Sequence, residues 1–214
     1  MSNHKEFLTI RPHEHFWVEV YHFMNSVVQP RPIAWISTVS ETGDFNLSPF
    51  SYFNICSMNP PIISNAIFYN RDGSEKDTLR NIKATGKYIV GTVSFENANK
   101  ANISSAPFDR DVDEFSEANV SFSDRGTGEP RLITDSPVNL LCDLNQTVEL
   151  GEGAGVGTLV LGNVREIMLS KEMSNVDWKK GLSPEIMNNV GRMGADYYTK
   201  TTDLFQLGRP DKKK

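Results

Sequence analysis

Histidine is nearly missing from this chain: all four (His4, His13, His15, His22) fall within the first 22 residues and none follows. A Ser-His-Asp or Cys-His arrangement, or an imidazole-based metal site, would need the N-terminal segment to fold back over the body of the protein, so hydrolase and metalloenzyme readings recede. His13-x-His15 can place two imidazoles on one side of an extended segment, but no partner ligands accompany them and no metal site is expected. Cysteine is equally scarce. Cys56 and Cys142 lack CxxC spacing and fit buried reduced thiols better than a disulfide framework or a zinc site. No apolar run approaches the roughly 20 residues that cross a bilayer, and the N-terminal MSNHKEFLTIRPHEH lacks the apolar stretch of a secretion signal. The expectation is a cytoplasmic protein without membrane contact, in which the Asn-x-Ser/Thr triplets at Asn46, Asn102, Asn119 and Asn145 are not glycosylated. Positive charge is also short: Lys plus Arg total 22 against 27 Asp plus Glu, a net charge of -5. That sign argues against a nucleic-acid partner.

What is present builds a core. The 214 residues include 12 Phe, 6 Tyr and 3 Trp, with 38% hydrophobic and 23% charged residues, a composition that folds as one domain rather than staying disordered. Runs rich in β-branched and aromatic residues, each bounded by turn residues, predict strands over 33–39, 46–54, 62–69, 88–93, 138–150 and 158–169. The loop Ser40–Asp44 is of hairpin length, so the first two strands pair antiparallel. Helical patterns are fewer: 76–83, 94–103 with Ser94 as N-cap, 110–118, and a stretch around 184–190. Strands and helices do not alternate, which excludes a doubly wound parallel sheet and leaves an antiparallel barrel with a few peripheral helices. The glycines of Gly151–Gly157 do not satisfy GxGxxG and lead into a strand rather than a helix, so they read as a hairpin loop.

With the usual side-chain catalysts absent, an enzyme of this composition would leave the hard chemistry to a cofactor. Two segments suit a planar anionic ligand. Arg31–Thr38, running through the hairpin into Asn46–Asn54, interleaves hydroxyls and amides (Ser37, Thr38, Ser48, Ser51, Asn54) with aromatics (Trp35, Phe50, Tyr52, Phe53) on adjacent strands. Pro49 within the second of these implies a bulge or a sheet edge. An ordinary amphipathic strand pair would show the same composition. Asn70–Asn81 is a turn entering a helix, where Lys76, Thr78 and free backbone N–H groups make a phosphate site. A capped helix bearing a solvated charge run is the competing account of that segment.

The segments RPIAWIST (31–38), NLSPFSYFN (46–54), NPP (59–61), KDTLRNI (76–82), DEFSEANVSF (113–122), SPVNLLCDL (136–144), LVLGNV (159–164) and GRMGADYY (191–198) resemble, in order, those of the flavin reductase-like, FMN-binding split-barrel family, particularly its flavoredoxin-type branch. The resemblance covers most of residues 25–200. It implies a mainly β fold, a six-stranded Greek-key split barrel filling the chain as one domain, with residues 1–24 as an extension packed on it. It also implies non-covalent FMN near a homodimer interface. Matched by motif, Ser37, Thr38, Ser51, Phe53, Lys76 and Thr78 are the implied FMN contacts, with Trp35, Asn54, Asn81 and Arg192 added to them. No side chain is implied as catalytic, because FMN carries the chemistry. Many relatives have Glu before the cysteine of the SPV segment, where this chain has Leu141, and a His after LVLG, where Val164–Ile167 has none. Both departures lie away from the FMN motifs and bear on the substrate or electron partner.

The activity implied is transfer of hydride from NADH or NADPH through FMN to a flavin, a metal complex or a protein acceptor. A flavin-binding electron carrier without its own nicotinamide activity shares every motif quoted. A pyridoxamine-phosphate-oxidase-like enzyme is a third reading, but its substrate-phosphate ligands are not recognisable here.

Overall fold

The computed structural model describes residues 7–173 and 175–210; His4 and the start of the N-terminal extension lie outside them. The strands are β1 (Ala34–Val39), β2 (Phe45–Phe50), β3 (Phe53–Met58), β4 (Pro61–Phe68), β5 (Lys87–Thr92), the short β6 (Phe122–Ser123) and β7 (Leu132–Ile133), the long β8 (Val138–Glu149) and β9 (Gly157–Leu169), and β10 (Val190–Arg192) with β11 (Tyr198–Lys200). Seven of them form one antiparallel sheet in the order β2-β1-β5-β8-β9-β4-β3. Only Ser51 and Tyr52 separate β2 from β3, yet these are the two outer members of that order. The step from Phe50 to Phe53 reaches at most about 11 Å, so the sheet must curl until its edges meet at this corner. The Ala66 amide of β4 donates to the Tyr52 carbonyl at 2.9 Å, which carries the β3–β4 ladder into the corner itself. β2 and β3 do not pair along their lengths among the described residues, and the barrel is split along that seam.

The run expected as one strand over 46–54 is therefore two, and the sheet has seven strands instead of six. No glycine marks the break; it is set by which neighbours each half finds, β1 for the first and β4 for the second. Pro49 sits in β2 opposite Trp35, on an edge strand where a missing N–H leaves no ladder unfilled. The Gly151–Gly157 segment does join β8 to β9 as a hairpin, with Gly151, Gly153 and Gly155 at positive φ.

The helices depart further from expectation. α1 (Trp17–Val27) adds to the helices expected: Trp17, Val20, Tyr21, Met24 and Val27 recur at helical spacing, yet only Asn25 of its residues is buried. It leans on the β8–β9 loop through Trp17, whose ring lies where any Cβ on Gly155 would sit. α2 (Asp77–Thr85) starts after Lys76 and ends at Gly86 in the left-handed conformation, burying Leu79 and Ile82 in the barrel. α3 (Ala98–Ile103) begins four residues later than expected, with Asn97 at its N-cap position; Ser94 instead bridges Asn189. The stretch expected over 110–118 shortens to α4 (Glu114–Glu117), capped by Asp113, whose carboxylate accepts from the Phe115 amide at 3.0 Å. α5 (Pro184–Met187) stops at Asn188 in the left-handed region, before β10 begins.

Two apolar clusters result from the alternation of β1. Ala34 and Ile36 point into the barrel with Ile63, Ile67, Tyr88, Val90 and Val160, while Ile33 and Trp35 point outward beneath Ala101, Phe115 and Val120.

Candidate functional site

The sequence places a cation and a hydroxyl at the start of α2, and the fold turns that start into one wall of a cavity of about 710 Å³. Asn46 and Ser48 of edge strand β2, Asn70, Arg71 and Asp72 of the preceding loop, Asp77 of α2, Ser105, and Glu114 of α4 are also in its polar lining, and Phe108 adds an aromatic ring. The volume falls within the roughly 300–1,000 Å³ of small-molecule sites. No side chain caps the α2 N-terminus, so its first backbone N–H groups remain free for a ligand. Arg71 is in no ion pair among the described residues, but the cations of α2 itself are spent: Arg80 lies 2.7 Å from Asp77, and Lys83 lies 2.7 and 2.8 Å from Glu75 and Glu149. Lys76 is not. Among the described residues it forms no ion pair, and its Nζ rests 3.2 Å from the Asn70 amide oxygen. An uncompensated ammonium beside an uncapped helix N-terminus is a seat for an anion.

Behind this seat runs a chain of hydrogen bonds. Thr78 Oγ1 donates to Asn46 Oδ1 (2.6 Å), Asn46 Nδ2 donates to Glu114 Oε1 (2.6 Å), and the Leu47 amide donates to Glu114 Oε2 (3.0 Å). Thr38 Oγ1 accepts from Asn81 Nδ2 (3.1 Å) and lies 3.4 Å from Asn46 Oδ1. Burial pushes the Glu114 carboxyl above its ordinary range, against the pull of the Leu47 amide.

The residues singled out from sequence are thus distributed over several places. Lys76 and Thr78 line the cavity, and Thr38 and Asn81 are buried behind it. Trp35 and Ser37 turn to the other face of β1, where the Trp35 indole N–H donates to Ser104 Oγ at 2.9 Å and both side chains are sealed. Phe53 lines a second cavity, of about 260 Å³, together with Arg31, Thr92 and Asn189. Ser51 lies next to it, its Oγ 3.5 Å from Arg31 Nε. Asn54 is exposed and uses its amide oxygen on the following backbone N–H. Arg192 pairs with Arg31 through the backbone, while its guanidinium stacks 4.5 Å from the Tyr198 ring. Two members of the first cavity, Asn46 and Glu114, escaped the sequence reading as site residues. The pair is separated by 68 positions, and only the docking of α4 on β2 joins them.

The flavin reductase like domain, as a family profile, matches residues 24–184. The chain belongs to this family. A protein of Deinococcus radiodurans without an assigned activity is 32% identical over 194 residues, covering 88% of this chain and 84% of its own. Among solved structures, nitrilotriacetate monooxygenase component B from Bacillus cereus superposes with a TM-score of 0.87 at 24% identity, over 95% of this chain and 100% of its own. The flavoredoxin of Desulfovibrio vulgaris superposes with a TM-score of 0.70 at 14% identity, over 85% and 92% of the two chains. The fold is the antiparallel split barrel of such flavin reductases.

The residues present fit a phosphorylated flavin. Lys76 and the α2 N-terminus offer the phosphate a charge and free donors, and the hydroxyl and amide groups along β2 suit a polyol. Among the described residues no cluster of His, Cys, Asp and Glu is arranged to hold a metal ion, and no helix is long and apolar enough to cross a membrane.

Proposed function

We propose that this protein is an FMN-dependent oxidoreductase that takes hydride from NADH or NADPH and passes the electrons to a flavin, a metal complex or a protein acceptor. The observation that carries the reading is the free ammonium of Lys76 beside the uncapped start of α2, in a cavity large enough for a nucleotide. FMN supplies the redox chemistry when bound. The chain's own part is to seat the phosphate, orient the ring system and keep competing water away from it. The fold shared with component B of a monooxygenase supports an electron acceptor on a separate protein.

The test is a visible spectrum of the protein incubated with excess FMN and desalted, followed by anaerobic NADH and then NADPH. Flavin bands that stay with the protein and bleach with one nucleotide are the expected result, and they name the donor. Retained bands that never bleach would favour an electron carrier instead, the reading to which the flavoredoxin fold lends weight. Lys76→Ala is expected to weaken FMN about tenfold or more, as loss of a charge-assisted contact does, and an unchanged titration would remove Lys76 from the site.

The same reading includes a homodimer. Edge strand β3 exposes Ile55 and Met58, and α1 exposes Trp17, Tyr21, Met24 and Val27, apolar surface that a symmetric partner would cover. Light scattering of the flavin-loaded protein should give twice the chain mass of 24.0 kDa; a monomer mass rejects the dimer.

A further inference from the structure

The cavity beside α2 has a hydrogen-bond direction, and it starts at Glu114. Both oxygens of this buried carboxylate accept, one from the Leu47 amide at 3.0 Å and one from Asn46 Nδ2 at 2.6 Å. That contact fixes which way the Asn46 amide faces, because its NH₂ must point at the carboxylate. Its carbonyl oxygen therefore points at Thr78, 2.6 Å away. A carbonyl oxygen has no proton to give, so the Thr78 hydroxyl gives its own. Thr38 is held in the same sense: it receives a proton from Asn81 Nδ2 at 3.1 Å and faces Asn46 Oδ1 at 3.4 Å. Toward a bound molecule Thr78, which lines the cavity, can then only accept, while Thr38 is sealed behind it and steadies Asn46. Asn46 keeps one amide proton for the ligand.

Phosphate oxygens at neutral pH are acceptors, and so is a threonine whose proton is spent. The carboxylate of Glu114 lines the same cavity and repels an anion placed near Asn46. A polyol is the opposite case, since each of its hydroxyls can donate. We propose that Glu114 acts as a positioning residue that makes Thr78 an acceptor, so that this stretch of the cavity holds the ribityl hydroxyls of a flavin and the phosphate is left to Lys76. The assignment rests on the flavin reading given above, and it takes Thr78 out of the phosphate site that its place at a helix start suggests.

The experiment titrates the protein with lumiflavin, riboflavin and FMN, which share the ring and add first the ribityl chain and then the phosphate, following quenching of flavin fluorescence. Thr78→Val keeps the side-chain shape and removes the acceptor. Riboflavin and FMN should both bind about fivefold more weakly to it, the worth of one ordinary hydrogen bond, while lumiflavin is unchanged. A loss confined to FMN would mean that Thr78 donates to phosphate, and the assignment fails. Glu114→Gln offers one acceptor and one donor where two donors must be met, so Asn46 turns over and the direction of the chain is lost. Riboflavin affinity should fall about tenfold, FMN less because the repelling charge is gone, and lumiflavin not at all. Equal losses for all three ligands would show a merely structural role. If Glu114→Gln does not fold, Thr78→Val decides alone. Absence of quenching of all three by the unaltered protein overturns the flavin reading and this assignment with it, whereas normal binding of riboflavin to Thr78→Val overturns the assignment only.

Discussion

Arg31→Met is expected to cost about 3–5 kcal/mol of stability and to lower the melting temperature by about 10 °C. The Arg31 guanidinium is buried, and no carboxylate pairs with it among the described residues. Backbone carbonyls hold it instead: Nη1 donates to Asn25 O at 2.8 Å and Val28 O at 2.7 Å, and Nη2 donates to Met193 O at 2.9 Å. The first two carbonyls belong to the C-terminal end of α1, where a cation also meets the negative end of the helix dipole. The third lies just past β10. One side chain thus ties the N-terminal helix, the C-terminal arm and the barrel corner together, and its ring contact with Tyr52 adds to the hold. Methionine matches the length but leaves three acceptors without donors, one of them buried and two half-buried. Arg31→Lys should fall between the two, because a single ammonium cannot satisfy carbonyls on both sides. The check is a thermal melt with limited proteolysis: α1 should become the first cleavage site of Arg31→Met. A melting temperature within about 2 °C of the parent would show that water replaces the guanidinium at no cost.

Gly162→Ala is expected to be about as damaging, for a steric reason. Gly162 lies in β9 against the buried Tyr88 ring, and a Cβ there would be 1.9 Å from the phenolic oxygen and 2.7 Å from the adjacent ring carbon. Tyr88 fills the middle of the barrel and has nowhere to withdraw. Overpacking of this kind costs about 3 kcal/mol or more. Tyr88→Phe removes the closest of the two clashes, and in combination with Gly162→Ala it should restore part of the loss. Strictly additive losses in the double variant, measured by denaturant unfolding, would mean that the two positions do not meet.

How far the sequence disclosed these features depends on whether their cause is local. The β8–β9 loop could be read because its glycines are needed at positive φ, and Pro49 announced an edge because a proline has no ladder proton to offer. The division of 46–54 could not be read, since two distant strands decide where each half pairs. α1 carries apolar residues at helical spacing, but that face does not enter the core, and its one buried residue, Asn25, is polar and is held by the Tyr52 hydroxyl at 2.7 Å. At the cavity, the place of Lys76 and Thr78 at a helix start was legible, whereas the lack of a cap there was not, since the same segment suits a capped helix. Strand periodicity alone separates Ser37 from Thr38, since neighbours on a strand face opposite ways. Glu114 carries no local sign of its role. Its partners are reached only when α4 settles on β2.

The order of strands also sets a schedule for synthesis. β4 carries Ile62, Ile63, Ile67 and Phe68, and its partners are β3, made just before it, and β9, whose Asn163 pairs with Ile62. About a hundred residues must be made between those two partners, which takes roughly 5–20 s at ordinary rates of translation. Through that interval one side of an apolar strand stands open on the nascent chain, a template for the same strand of a neighbouring chain on the same message. Crowded translation should therefore be the condition under which this protein is most readily lost to aggregates, and slower initiation the simplest way to recover it.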